Sequence, residues 1–550
     1  KYGLYTPTSE GDDDDFPSIS GMIARYSASG LTNEQMKQNP VWVDKTGNGH
    51  DLQLKNFLWG EMSGIGGYKL NWGDSNIWSN YIAQGTFGTG EVTDNTIHIT
   101  SAKTNNSLFE TRATLKSVEY KVLTKGLTDD IYLKYGVFND GKELWTEIKN
   151  DGIYTLPSYD YDSRYNMKWK VMSQTYPIDC NITIEQLPLY PGALVFDGVD
   201  DYGVCDNFPI LTKEKGYTVV ALRRYLSNKV DKVYSLVTNA PSAIVSRSTI
   251  TFELIGNDKT KSNFSFGRGN PVIDFEPNVF SYMTSKSYNG KIITPGDYTE
   301  HQKRLLVGNF SESGRYGCNV AIWELVFLDH DATEEELTKI KDYFIKTYPW
   351  LFLDQAWTVV GKTNEDKDRA TIANITGNGN DLVLSNFGFA EGSGYNEEGE
   401  YAGYLVTDGV DDKITSSAFK MGKDFTIVGD WKFIDNKKSG TGLVKGSSFY
   451  IYNTMIGLDL YINSGSVTNS LDGIKSINAA CSDGRAYDRN WNEILANTGN
   501  VVGSGGTLEV SSSGGRFGRI AFKNLAIYLR ILSKDDCIKA YNYLQTLKAK

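Results

Sequence analysis

Histidine, cysteine and proline are scarce in this 550-residue chain, which holds 4 His, 5 Cys and 13 Pro. The cysteines Cys180, Cys205, Cys318, Cys481 and Cys537 are odd in number, widely scattered and free of any C-x-x-C pair. That spacing argues against a disulfide framework and against a cysteine zinc site. It fits assembly in a reducing cytoplasm, and equally a low-cysteine secreted bacterial protein. His50, His98, His301 and His330 fall in distant segments, so no nucleophile–base pair can be nominated and ordinary surface histidines are expected. No window approaches the roughly 18 apolar residues of a spanning helix, so no membrane partner is expected. Lys/Arg-rich runs are absent too, and the formal charge is −11 with a pI near 5.1. Phosphate backbones need a cationic face, so nucleic acid is not expected as a partner, and the acidic balance serves solubility.

Aromatic residues, by contrast, make up 13% of the chain, and glycine is abundant at 55 residues. This composition favours many strands joined by glycine turns, with few helices. The organising stretch is Gly192-Ala-Leu-Val-Phe-Asp-Gly-Val-Asp-Asp-Tyr202, which returns as Gly403-Tyr-Leu-Val-Thr-Asp-Gly-Val-Asp-Asp-Lys413. Over residues 192–204 against 403–415, 8 of 13 positions are identical. Upstream, residues 44–57 match 374–387 at 9 of 14 positions, and downstream Gly314-Arg-Tyr-Gly317 answers Gly515-Arg-Phe-Gly518. The upstream offset is 330 residues and the central one 211, so the first copy carries 119 residues more between these landmarks. Two homologous units and one insert are implied, which also suits the length.

Taken in order, residues 1–20 include Asp12 to Asp15, a self-repelling run read as an acidic tether. The chain starts at Lys1, so a leader or an anchoring domain is expected upstream. Residues 21–71 and 191–350 are expected to form the first unit and 351–550 the second. The Thr46-Gly-Asn-Gly49 turn supplies positive backbone angles before the Leu52, Leu54 alternation. Within the insert, 72–190, alternating runs such as Thr96–Thr100, Val118–Val122, Ile131–Val137 and Asn181–Ile184 predict a compact antiparallel sandwich of immunoglobulin-like or carbohydrate-module size. Each unit closes alike, with strands over 320–328 and 520–528. Thr333 and Ser533 then cap a short helix whose first turn is acidic. Leu337, Ile340 and Phe344 in one helix, and Ile538, Tyr541 and Leu544 in the other, give the expected apolar faces.

These residues carry a resemblance. A Thr-Gly-Asn-Gly-x-Asp-Leu turn, then Leu-Val-Phe-Asp-Gly-Val-Asp-Asp-Tyr, then a closing strand, a hydroxyl cap and a short helix resemble the laminin-G-like branch of the concanavalin A-like lectin/glucanase superfamily. The resemblance implies an all-β fold: tandem jelly-roll sandwiches, each with one short C-terminal helix, the first interrupted by the inserted sandwich. The segments Ile65–Trp72, Asn181–Gly192 and Tyr288-Asn-Gly290 are similar to structural or fibre-like proteins of Bacteroides phages and prophages. That second resemblance implies a virion surface location and other virion proteins as partners, with a bacterial cell surface as the alternative.

Candidate chemistry is sparse. Glycosidases of this superfamily place two carboxylates about 5 to 10 Å apart on one strand face. The expected Glu-x-Asp-x-(x)-Glu strand is missing, so no catalytic residue is nominated. Asp197, Gly198, Asp200 and Asp201, repeated as Asp408, Gly409, Asp411 and Asp412, read instead as a structural turn, with calcium as the alternative reading. Sugar recognition uses aromatic platforms beside polar side chains. Trp72, Trp78 and Tyr81 form one such mixture, and Tyr159 with Tyr161 another; burial in an interdomain seam is the competing reading for the tryptophans. The expectation is a non-enzymatic virion protein, a fibre or a capsid or tail decoration, that binds host-surface glycan or protein as a homo-oligomer. The accessory region of a glycan-degrading enzyme, a purely architectural virion protein and a bacterial cell-surface lectin are the alternatives.

Overall fold

In the computed structural model the described residues are 15–106, 108–111, 118–139, 142–158, 167–211, 214–226, 234–239, 250–255, 261–262, 279–292, 304–309, 317–390, 392–420, 422, 424–434, 442–445, 449–453, 457–462, 471–472, 477–495, 505–510, 512–513 and 516–549. Most of the expected tether lies outside them, as do His301 and parts of both Gly-Arg-aromatic-Gly motifs. The chain forms two compact units, the first running to Tyr343 and the second taking over from Phe344. The fold is all-β, built of antiparallel sheets packed as sandwiches.

In the first unit, Asn319–Leu328 is the spine of an eight-stranded sheet. It pairs with Met22–Ser27, Leu194–Asp197 and Thr218–Tyr225. A seven-stranded sheet runs from Val41–Trp42 through Leu52–Lys55, Tyr202–Cys205, Leu305–Val307 and Tyr234–Asn239 to Ile250–Ile255 and Lys261–Ser262. Phe196, Val219, Ile322 and Phe327 from one sheet meet Trp42, Leu52, Leu54, Leu305 and Val307 from the other in a single core. Burial of such side chains gives about 1.5–3 kcal/mol each.

The second unit repeats this plan, its opposing sheet carrying eight described strands where the first unit's carries seven. Ile520–Tyr528 is the spine, flanked by Gln355–Thr358, Tyr404–Val406 and Thr426–Phe433. The opposing sheet begins Thr371–Ile372, Leu382–Ser385, Lys413–Ser416. Even irregularities are shared: the strand paired to each spine bulges, between Leu222 and Arg223 in one unit and between Asp430 and Trp431 in the other. An asparagine clamp recurs as well. Asn33 exchanges two hydrogen bonds with the Ile65 backbone, and Asn364 does the same with Tyr395.

Three α-helices are present among the described residues. The unforeseen one, α1 (Asn33–Gln38), is started by a capping box in which the Thr32 hydroxyl accepts from the Gln35 amide and the Gln35 side chain answers. The two expected helices are α2 (Glu334–Thr347) and α3 (Lys534–Leu544). Thr333 Oγ1 accepts from the Glu336 amide and Ser533 Oγ from the Asp536 amide, satisfying orphan first-turn donors. In α2, Ile340 and Phe344 are buried as expected. In α3 the buried face passes through Cys537, Ala540, Tyr541 and Leu544, so Ile538 sits at its margin. Small residues at 537 and 540 let that helix approach more closely than a row led by isoleucine would.

The insert forms its own sandwich of two five-stranded sheets. One runs Lys142–Ile148, Tyr132–Asn139, Met167–Met172, Phe109–Thr111, Trp78–Asn80. The other runs Gly152–Ser158, Val118–Lys125, Ile178–Gln186, Thr96–Ala102, Gly88–Val92. Trp78, Phe109, Tyr135 and Trp169 of the first sheet face Ile97, Val122, Ile182 and Ile184 of the second. Its entry and exit segments are zipped together. The Gln186 amide oxygen accepts from the backbone of both Lys69 and Leu70 at 3.0 Å, while its amide nitrogen, Nε2, donates back to Leu70 O at 2.8 Å. Gln186 is fully buried, so this exchange replaces hydrogen bonds that water would otherwise have made.

Candidate functional site

The repeated acidic motif occupies a corner. Leu194–Asp197 belongs to the eight-stranded sheet and Tyr202–Cys205 to the seven-stranded one, so residues 198–201 carry the chain from one layer to the other. Gly198 sits at φ +78°, and an added Cβ there would lie 2.7 Å from the Asn319 side chain, which leaves glycine as the fitting residue. Asp197 Oδ1 accepts from the Val199 amide at 2.7 Å, an Asx turn. The Asp197 amide donates to Asp201 Oδ2 at 2.9 Å, and Ser63 Oγ donates to Asp201 Oδ1 at 3.1 Å. In the second unit the corresponding bonds are Val410 to Asp408 at 2.7 Å, Asp408 to Asp412 at 2.7 Å and Ser393 to Asp412 at 3.0 Å. Asn56 and Asn386 complete each corner by donating to the carbonyls of Asp200 and Asp411.

Asp201 and Asp412 are almost wholly buried, 1% and 0% exposed. Burial, followed by the neighbouring Asp197 charge, pushes the Asp201 carboxyl up to about 7. Burial likewise raises Asp412 to about 6. In each corner three carboxylates, Asp197, Asp200 and Asp201 or Asp408, Asp411 and Asp412, offer oxygens within 4.8 Å of one another. Hard cations gather six to eight oxygens. Here the most buried aspartate of each trio already spends both oxygens on an amide and a hydroxyl. The two carboxyls Asp197 and Asp201 do not oppose each other across a cleft, because one is bonded to the other's backbone.

The aromatic candidates are placed differently from the sugar-platform expectation. Trp72 and Trp78 are core residues of the insert, 1% and 2% exposed. Trp78 stacks on Phe109 at 4.7 Å, and Trp72 lies edge-on to Phe109 and Tyr120 at 6.4 and 6.3 Å. Neither indole face is open to a sugar, so both are withdrawn as ligand residues. Tyr81 is half-buried and donates to Glu110 Oε1 at 3.2 Å. Tyr159 and Tyr161 lie outside the described residues. Among the histidines, His98 bonds Asn181 and His330 lies between Asp329 and Glu336, while His50 packs edge-on to Phe208.

A tryptophan that the sequence reading passed over stands on the outer face of the insert. Trp145 is the cross-strand partner of Gly136, which alternates with the buried Tyr135 and Val137 and therefore faces outward. The indole lies directly on that glycine: a Cβ there would come within 2.6 Å of the ring. Asn105, Lys134, Glu143, Trp145, Lys170 and Met172 enclose a shallow depression of about 260 Å³. Lys170 Nζ stands 4.7 Å from the indole centroid. Glu143 pairs with Lys168 at 2.5 Å and Lys134 with Glu147 at 2.9 Å. The signal was readable in Lys-Glu-Leu-Trp-Thr-Glu-Ile, where the tryptophan falls on the charged phase of the alternation.

No protein family and no characterised protein matches the sequence. Among solved structures, the chain is similar to Trypanosoma rangeli sialidase in complex with sialic acid, at 10% identity over 83% of each chain, with a TM-score of 0.25. It is also similar to a mutant of HCR/D, at 10% identity over 61% of this chain and 89% of that one, with a TM-score of 0.24. Similarity this low carries no argument about function.

Proposed function

We propose that this is a non-enzymatic adhesion protein of a virion surface, a phage fibre or decoration component with laminin-G-like jelly rolls of the concanavalin A-like type. Its partners are a host-surface glycan or protein and neighbouring virion proteins, and it acts as a homo-oligomer in which several weak sites add by avidity. One observation carries the non-enzymatic part of this reading. The acidic motif, the densest set of carboxylates shared by both units, is committed in both to bonding its own corner backbone. A general acid must reach substrate, and Asp201 and Asp412 are enclosed.

The test is retention of the fluorescently labelled full chain on host cells and on a printed glycan array. The proposal expects saturable retention that strengthens when the chain is presented multivalently. Absence of retention on any host cell or glycan, with the chain folded, would overturn the adhesion reading.

A further inference from the structure

We infer that the depression over Gly136 is a binding site for an acidic pyranose, with the sugar ring on the Trp145 indole and the sugar carboxylate on Lys170. This rests on the adhesion reading and names its ligand class. The first support is the platform. Trp145 is held on the solvent side of a sheet whose core is formed by the opposite face, so the hydrophobic effect of that core does not explain it. Gly136 opposite lets the ring lie against the backbone, with the Lys170 ammonium over the ring where a ligand carried by the indole would meet it.

The second support is charge. Lys134 and Lys170 are direct cross-strand partners. Like charges placed so are destabilising unless each finds a partner. Lys134 is compensated by Glu147, and its neighbour Lys168 by Glu143. Lys170 makes no ion pair among the described residues, and its ammonium stands over the Trp145 ring, 4.7 Å from the centroid. On a chain of net charge −11, an ammonium held over an indole, with no carboxylate paired to it among the described residues, is suited to a ligand that brings its own carboxylate.

The third support is size and rim. At about 260 Å³ the depression falls just below the roughly 300–1,000 Å³ of drug-sized sites, which suits one sugar ring. Asn105 and Glu143 supply an amide and a carboxylate at the rim for hydroxyl groups.

The experiment uses the full chain on an array of uronate- and nonulosonate-terminated oligosaccharides printed beside their carboxyl-reduced counterparts. The wild type is expected to retain the acidic forms, with affinity falling as salt rises. Trp145→Ala is expected to weaken retention at least tenfold, and Gly136→Ala, which lifts the indole, to do the same. Lys170→Gln keeps the packing of the stem and is expected to abolish the preference for acidic over reduced forms. Equal binding of both forms by the wild type overturns the inference. So does acidic-glycan binding that survives Trp145→Ala and Lys170→Gln, although adhesion then stands through another site. If no glycan is retained the inference also fails, and host-cell retention judges the adhesion reading separately.

Discussion

At the scale of single residues, two buried aspartates behave unlike surface carboxylates. Asp201 titrates near 7 in the folded chain against 3.8 ordinarily, and Asp412 near 6. A raised carboxyl pKa means that the folded state holds the proton more tightly, so its stabilising contribution is complete below about 3.8 and is lost as pH rises through 7 for Asp201 and 6 for Asp412. Each pKa unit corresponds to about 1.4 kcal/mol. Asp201→Asn, which mimics the neutral acid, is expected to flatten the fall in melting temperature between pH 5 and pH 8. An unchanged slope would show the carboxyl to be ionised throughout. The turn was legible in the sequence because Asp-Gly-x-Asp-Asp has one economical conformation and occurs twice. Its hydroxyl partners were not: Ser63 and Ser393 come from 138 and 19 residues away, and no local pattern reports such a contact.

Among elements, the closing strands and helix caps were readable because their signals are local: an apolar run, then a hydroxyl before acidic residues. In α3, Tyr541 and Leu544 are buried as the spacing predicts, and only Ile538 lies at the margin, where the small Cys537 and Ala540 turn inward in its place. The sequence alone leaves Trp72 and Trp78 between a sugar platform and burial for a related reason. Alternation tells which residues share a face, but the identity of the buried face depends on the second sheet. Trp145 was legible by the same alternation, since it shares its face with Glu143 and Glu147. The element joining insert to first unit yields a prediction. Gln186→Leu removes partners from the Lys69 and Leu70 amides, and an orphaned buried donor costs about 1–3 kcal/mol. Hydrogen exchange at Lys69 and Leu70 should accelerate more than tenfold while exchange in the 520–528 strand stays fixed. Unaltered protection at those two amides would mean the zipper is held by other contacts.

For the whole molecule, repeat offsets revealed the most, because a duplicated unit must preserve its landmarks whatever its surface does. The surplus of 119 residues corresponds to a sandwich whose strands lie between Trp78 and Gln186. The passage to the second unit falls at Tyr343/Phe344, a few residues before the expected boundary and within the span of α2. Function was less legible, since a jelly roll hosts many activities and only side chains placed by the complete fold decide among them. The most direct test of the central claim, that the duplicated acidic motif is scaffold and not reactive machinery, is release of reducing ends from host surface polysaccharide by the full chain. The account predicts no release above background for the wild type and for the Asp201→Asn, Asp412→Asn double variant alike. Sustained release by the wild type that disappears in the double variant, with both proteins folded, would contradict it.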